Sequence, residues 1–173
     1  ARGRDWELAI PWLMDTCLVL EVPRVSAPQQ PLAMFEDLGS FKLYLLDVGL
    51  LRAMAGLAPS VVLDGDELFA TAKGAFAEQF ACQELVATGY NPFYWAAKNA
   101  TAELDFLLQQ GSDVLPIEVK AGQNLRAKSL KASMKRFQLD RGLRFSTLPP
   151  RSDGAVADWP LYAIGSRRVF ERG

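Results

Sequence analysis

Three acidic residues occupy positions where an apolar side chain would be expected. Glu78 shares a helical stripe with Ala81, Cys82 and Leu85, at offsets of three, four and seven. Its carboxylate therefore points along a largely apolar face, where an unpaired charge is expensive. In the stretch Glu103 to Leu108, Glu103 and Asp105 fall on one face of an expected strand, with Leu104 and Phe106 on the other. In Val114 to Lys120, Glu118 and Lys120 share a face opposite Ile117 and Val119. Gln109-Gln110-Gly111-Ser112 reads as the hairpin turn joining the two, and this sets Asp105 close to opposite Glu118. Two carboxylates and a lysine then crowd a small area of sheet. Like charges at that separation raise each other's pKa unless something positive lies between them. Mg²⁺ (or Mn²⁺), a hard cation that prefers oxygen ligands and retains waters, is the natural partner. Lys120 would add charge and could position or activate a water. A Lewis-acid metal with a lysine to stabilise developing negative charge suits phosphodiester hydrolysis.

Composition narrows the alternatives. The 173 residues contain no His, so His-dependent nucleophilic triads, His-ligated zinc and imidazole bases are excluded. Any chemistry must use carboxylates, Lys, Tyr or Cys. Cys17 and Cys82 are the only cysteines; they are too few for a disulfide framework, and a reducing, cytoplasmic setting is expected. Half the residues are apolar and mean hydropathy is close to zero. No apolar run approaches the roughly 20 residues needed to span a bilayer, so no membrane partner is expected. The opening Ala1-Arg2-Gly3-Arg4 lacks the features of a signal peptide and is expected to begin an excised fragment whose partner module lies upstream.

The elements that must position these residues follow from periodicity and punctuation. Asp5 to Thr16 reads as a helix, Leu18 to Val25 as a strand, Ser26 to Leu32 as a loop, Phe41 to Leu46 as a strand and Val48 to Leu57 as a helix. Residues 1–66 are expected to form a helix-plus-hairpin extension that packs on the core of residues 67–173. In that core, Gly74 to Ala87 reads as a helix. Strands are expected at Pro92 to Ala96, Glu103 to Leu108 and Val114 to Lys120, a helix at Leu125 to Leu139, a strand at Leu143 to Thr147 and a closing strand at Leu161 to Ile164. The order helix, strand, strand, strand, helix, strand predicts an α/β fold with a sheet flanked by helices.

Asp105 and the run Pro116-Ile117-Glu118-Val119-Lys120 resemble the motifs of the PD-(D/E)XK nuclease superfamily, and Glu78 matches the helix acid that many of its members carry. More narrowly, Phe41 to Leu51, Gly74-Ala75-Phe76 with Glu78, Tyr94-Trp95, Glu103-Leu104-Asp105-Phe106 and Glu118-x-Lys120 are similar to the uncharacterised C-terminal domain of a family of prokaryotic AAA+ superfamily P-loop ATPases. The resemblance covers nearly the whole chain. It implies a restriction-endonuclease-like core with a mixed sheet, and Asp105 and Glu118 as metal ligands. It also implies Lys120 as the catalytic lysine and Glu78 as an accessory ligand or orienter. One departure is that Ala102 and Leu104, rather than Pro, surround the strand acid. No P-loop signature is present, so the chain itself should not hydrolyse ATP; the ATPase module would precede it.

From Lys120 to Arg151 nine basic residues face one acidic residue, Asp140. This asymmetry suggests a surface for a phosphate backbone of DNA or RNA, with Arg126, Lys128, Lys131 and Lys135 along one helix. The competing readings stay open. Lys120 can pair with a carboxylate across the hairpin, Glu78 with Lys120 or Lys98, and the basic helix can be a solvated face. Two functions are therefore expected of such a chain. One is a metal-dependent nuclease-like domain; the alternative is a regulatory or interaction module that keeps the nuclease fold without cutting.

Overall fold

The computed structural model describes residues 9–64, 67–98, 102–122 and 128–171, and leaves the side chains of 62–71 and 128 undescribed. The predicted start of the first helix at Asp5 and the predicted phosphate contact Arg126 lie outside these residues. So does the side chain of Lys128.

The fold is mixed α/β. Helices α1 (Ala9–Asp15), α2 (Val48–Met54), α3 (Pro59–Asp64), α4 (Glu67–Ala87) and α5 (Lys128–Phe137) accompany strands β1 (Val19–Val25), β2 (Glu36–Leu45), β3 (Phe93–Ala96), β4 (Glu103–Gln110), β5 (Asp113–Val119), β6 (Gly142–Ser146), β7 (Arg151–Asp153) and β8 (Val156–Pro160). The strands form one sheet in the order β2-β1-β3-β4-β5-β6-β8-β7. The predicted succession of helix, three strands, helix and strand appears as α4, β3, β4, β5, α5 and β6. The hairpin of β1 and β2 extends the same sheet, because β1 runs parallel to β3 with Arg24 beside Tyr94.

Two apolar clusters cover the two faces. On the α4 side, Ala77, Ala81, Cys82 and Leu85 pack against Phe106, Leu108, Leu115, Ile117, Val119, Leu143 and Phe145. On the α5 side, Leu130 and Met134 pack against Trp95, Leu104, Leu107, Val114 and Val156. Each strand at the centre is thus buried on both faces, which explains why β6 is buried throughout, its Arg144 and Ser146 included. The β4–β5 turn is tighter than predicted. Gln110 pairs with Asp113, so Gly111 and Ser112 alone form the loop, and Gly111 takes a positive φ of 56° that suits glycine in a two-residue hairpin.

Two predictions on this layout are corrected. Leu104 and Phe106 do not share a face: Leu104 belongs to the α5 side and Phe106 to the α4 side. The cause is a bulge, since Phe93 pairs with Leu107 and Trp95 with Leu104, leaving one extra residue on β4 at Asp105–Phe106. The closing strand at Leu161 to Ile164 is instead a 3-10 turn over Leu161–Ala163. The real strand is β8, paired parallel to β6 and antiparallel to β7. Asp158 and Pro160 make β8 look like a loop, but Asp158 is buried against arginine partners that only the folded sheet supplies.

Candidate functional site

All the predicted acids approach one edge of the sheet. Because β1 and β3 are parallel, while β4 runs antiparallel to β3 and to β5, the carboxyl ends of β1, β3 and β5 lie with the start of β4. The bulge in β4 turns Asp105 toward β5, where its Oδ2 accepts a 2.7 Å hydrogen bond from the Val119 backbone N–H. Asp105 therefore sits against the backbone between Glu118 and Lys120. Burial pushes its carboxyl up to about 6; the Val119 N–H opposes this, the charge of Glu78 adds to it, and Lys42 and Lys120 counter it.

Glu118 projects toward α5 and is 6% exposed. Its Oε1 accepts from Ser129 Oγ at 3.0 Å and lies 2.9 Å from Lys120 Nζ. Its Oε2 is buried with no hydrogen-bond partner. Lys120, just past the end of β5, thus lies on the same side as Glu118 and pairs with it, two residues back in the chain, rather than across the hairpin. A buried carboxylate oxygen left without a partner is costly, and a cation or a bound donor would relieve that cost.

Glu78 takes other partners than those expected. Its Oε1 receives Lys42 Nζ at 2.7 Å and the Tyr44 hydroxyl, both from β2, and Lys42 also pairs with Glu103. Burial opposes the Lys42 charge, yet its bonds to Glu103 and Glu78 hold its pKa above the usual value. Burial, reinforced by Glu78, raises the Tyr44 hydroxyl and pushes the Cys82 thiol up to about 12. Cys82 is therefore an inert core thiol. Lys42 and Tyr44 share a face of β2 by their two-residue spacing, and that alternation of lysine and tyrosine was the available signal in the sequence.

Ser129, which orients Glu118, carries no such signal, because an isolated serine in a basic helix is unremarkable until its neighbour is known. Of the predicted phosphate contacts, Lys131 pairs with Asp153 at 2.7 Å and Lys135 is exposed. Among the described residues, no three Asp, Glu or Cys side chains converge closely enough to enclose an ion by themselves. Of the predicted ligands, Asp105 reaches the backbone N–H of Val119, the residue next to Glu118.

Residues 73–148 match the family model of a domain of unknown function, DUF4143. The DUF4143 match runs from within α4 to just past β6, so Glu78, Asp105, Glu118, Lys120 and Ser129 all fall inside it. Lys42, Tyr44 and the β7–β8 hairpin fall outside it. No curated protein and no solved structure matches the chain. Among the described residues, no helix is long and apolar enough to cross a membrane.

Proposed function

We propose that this chain is a divalent-metal-dependent nuclease-like domain whose site is built on Asp105, Glu118 and Lys120. The observation that carries this reading is the buried, unpartnered Oε2 of Glu118, one residue along the chain from the Val119 N–H that holds Asp105, whose own charge is disfavoured. Both groups fit Mg²⁺ or Mn²⁺, because these ions take carboxylate oxygens and complete their shell with water, so two protein ligands suffice. When bound, such an ion supplies Lewis acidity and lowers the pKa of its water. The element order α4, β3, β4, β5, α5 and β6 supports the restriction-endonuclease-like core that the resemblance implies.

The residues divide the work by position. Asp105 is fixed by the Val119 N–H, and Glu118 is oriented by Ser129, so each presents its second oxygen without a rotamer search. Lys120, about a third exposed, holds its ammonium beside Glu118, where it can bind a phosphate oxygen and stabilise the charge that develops there. Glu78, neutralised by Lys42 and Tyr44, orients the α4 side of the site rather than binding the ion. By the resemblance, the domain works beside an ATPase module of the same protein.

The alternative is a regulatory or interaction module without hydrolysis. What favours it is that Lys42 and Lys120 already neutralise Glu78 and Glu118. The two readings separate in one experiment, using end-labelled single- and double-stranded DNA and RNA with Mg²⁺, Mn²⁺ or chelator. The nuclease reading expects metal-dependent cleavage that Asp105→Asn and Lys120→Ala each lower by a hundredfold or more. Absence of cleavage, with no change in melting on adding Mn²⁺, would sink it in favour of the module.

A further inference from the structure

A second charged feature lies on the same edge of the sheet, outside the acidic site. The ends of β1 and β3 and the last turn of α5 enclose an open cleft of about 590 Å³, lined by Arg24, Lys98 and Arg136 with Asp37, Trp95 and Phe137. Three cations face one carboxylate there. Arg24 reaches the Ala96 carbonyl through Nη2 at 2.6 Å and Asp37 through Nη1 at 3.5 Å, while its buried Nε has no acceptor. Neither Lys98 nor Arg136 forms an ion pair with a described residue, and both are exposed. The Arg136 guanidinium lies over Trp95, 5.4 Å from the ring centroid, and 5.1 Å from that of Phe137. The two rings meet edge to face at 4.9 Å.

This arrangement has specific chemistry. A guanidinium held over an aromatic ring keeps its opposite face open and oriented, and that face can stack on an unpaired base. Lys98 supplies an exposed donor for a phosphate oxygen, and the Arg24 guanidinium that lines the cleft adds positive charge beside it. α5 ties the cleft to the acidic site, since Ser129 at its start bonds Glu118 and Arg136 near its end covers Trp95. β1 and β5 are three strand positions apart, roughly 14 Å at ordinary sheet spacing, a span of a few nucleotides of extended strand.

We infer that the Arg24–Lys98–Arg136 cleft binds a single nucleic-acid strand, one phosphate between Lys98 and Arg24 and one base stacked on Arg136, and guides that strand toward Asp105 and Glu118. The destination of the strand rests on the nuclease reading; the binding does not. The strand-binding residues are thus distinct from the basic helix face of Lys131 and Lys135.

The test is fluorescence anisotropy with labelled single-stranded DNA, single-stranded RNA and duplex DNA in chelator, across a salt series, with poly-glutamate as an anionic control. The expected result is tighter binding of a single strand than of duplex or poly-glutamate. Lys98→Ala/Arg136→Ala should weaken it tenfold or more and reduce the salt slope by one to two. Arg136→Lys should keep the salt slope yet lose affinity, because charge remains and stacking is lost. Lys73→Ala, at an exposed lysine of α4, should change nothing, and circular dichroism should show every variant folded. Unchanged affinity in the folded double variant would overturn the inference, as would poly-glutamate binding as tightly as the single strand. Metal-dependent cleavage measured in parallel keeps the two readings apart. Cleavage that survives in the double variant at undiminished affinity removes the cleft and leaves the nuclease. Strand binding lost in the double variant, with no cleavage by the wild type, removes the nuclease and leaves the cleft.

Discussion

Asp105 is held at a position where its ionised form is disfavoured, and this has a measurable effect on stability. An acid whose folded pKa is raised contributes stability when neutral and loses it as pH rises through the folded value. For Asp105 the window runs from its ordinary 3.8 to about 6. Asp105→Asn keeps an acceptor for the Val119 N–H and removes the charge. In chelator at pH 8 it should melt above the wild type, by on the order of 2 kcal/mol, or a few degrees. The difference should vanish below pH 4. A thermal melt series checks this, and an Asn variant less stable at pH 8 would show that the carboxylate is well solvated. The acid types and their places along the chain were legible from the sequence. The bulge was not, because it arises from pairing with β3, and neither was Lys42, which sits 36 residues from Glu78 in the chain.

At the scale of elements, the β6–β8 pair holds the sheet together with a buried charge pair in place of a hydrophobic contact. Arg144 and Asp158 are register partners, fully buried, and bonded through Nε to Oδ1 at 2.7 Å and Nη2 to Oδ2 at 2.8 Å. Arg151 adds a further bond to Asp158. Burial alone would raise the Asp158 carboxyl, but the bonds from Arg144 and Arg151 hold it below its ordinary 3.8. An acid depressed in the fold stabilises above its unfolded value, so this contribution is retained at neutral pH and lost as pH falls below about 4. Asp158→Ala should cost about 3–5 kcal/mol, because it strands a buried guanidinium, whereas Arg144→Met with Asp158→Leu should cost much less. Urea unfolding distinguishes them; equal losses would show that packing, not charge, dominates here. β8 was illegible in the sequence for the same reason. An aspartate in a strand centre is unfavourable until an arginine from another strand neutralises it.

At the scale of the whole molecule, the charge asymmetry of the sequence is partly cancelled by folding. Of the nine basic residues between Lys120 and Arg151, Lys120, Lys131, Arg144 and Arg151 pair with Glu118, Asp153 and Asp158. The cations that line the cleft come from separate segments, Arg24 from β1, Lys98 from just after β3 and Arg136 from α5. The sheet also has two open edges, β2 and β7. On β2 the pairing with β1 slips between Pro23 and Arg24, and Leu38 projects at 88% exposure. An irregular edge resists pairing with another chain, but an exposed leucine on it invites association. Leu38→Lys should leave stability within about 0.5 kcal/mol and reduce self-association measured by dynamic light scattering. A loss of several degrees in Tm would instead mean that Leu38 packs in the native state.

The sequence by itself determined what is local. Periodicity of two and of 3.6 residues, the glycine turn at Gly111 and the alternation around Glu118 sufficed to place α4, β3, β4, β5, α5 and β6 and to single out Asp105, Glu118 and Lys120. Tertiary structure decided partners: Lys42 and Tyr44 on Glu78, Ser129 on Glu118, Arg144 and Arg151 on Asp158, and Arg24, Lys98 and Arg136 around one cleft. The physical reason is that backbone geometry repeats over a few residues, whereas a charge is stabilised by whatever lies within a few ångströms in space. That neighbour is set by the order of strands in the sheet, which no spacing along the chain encodes.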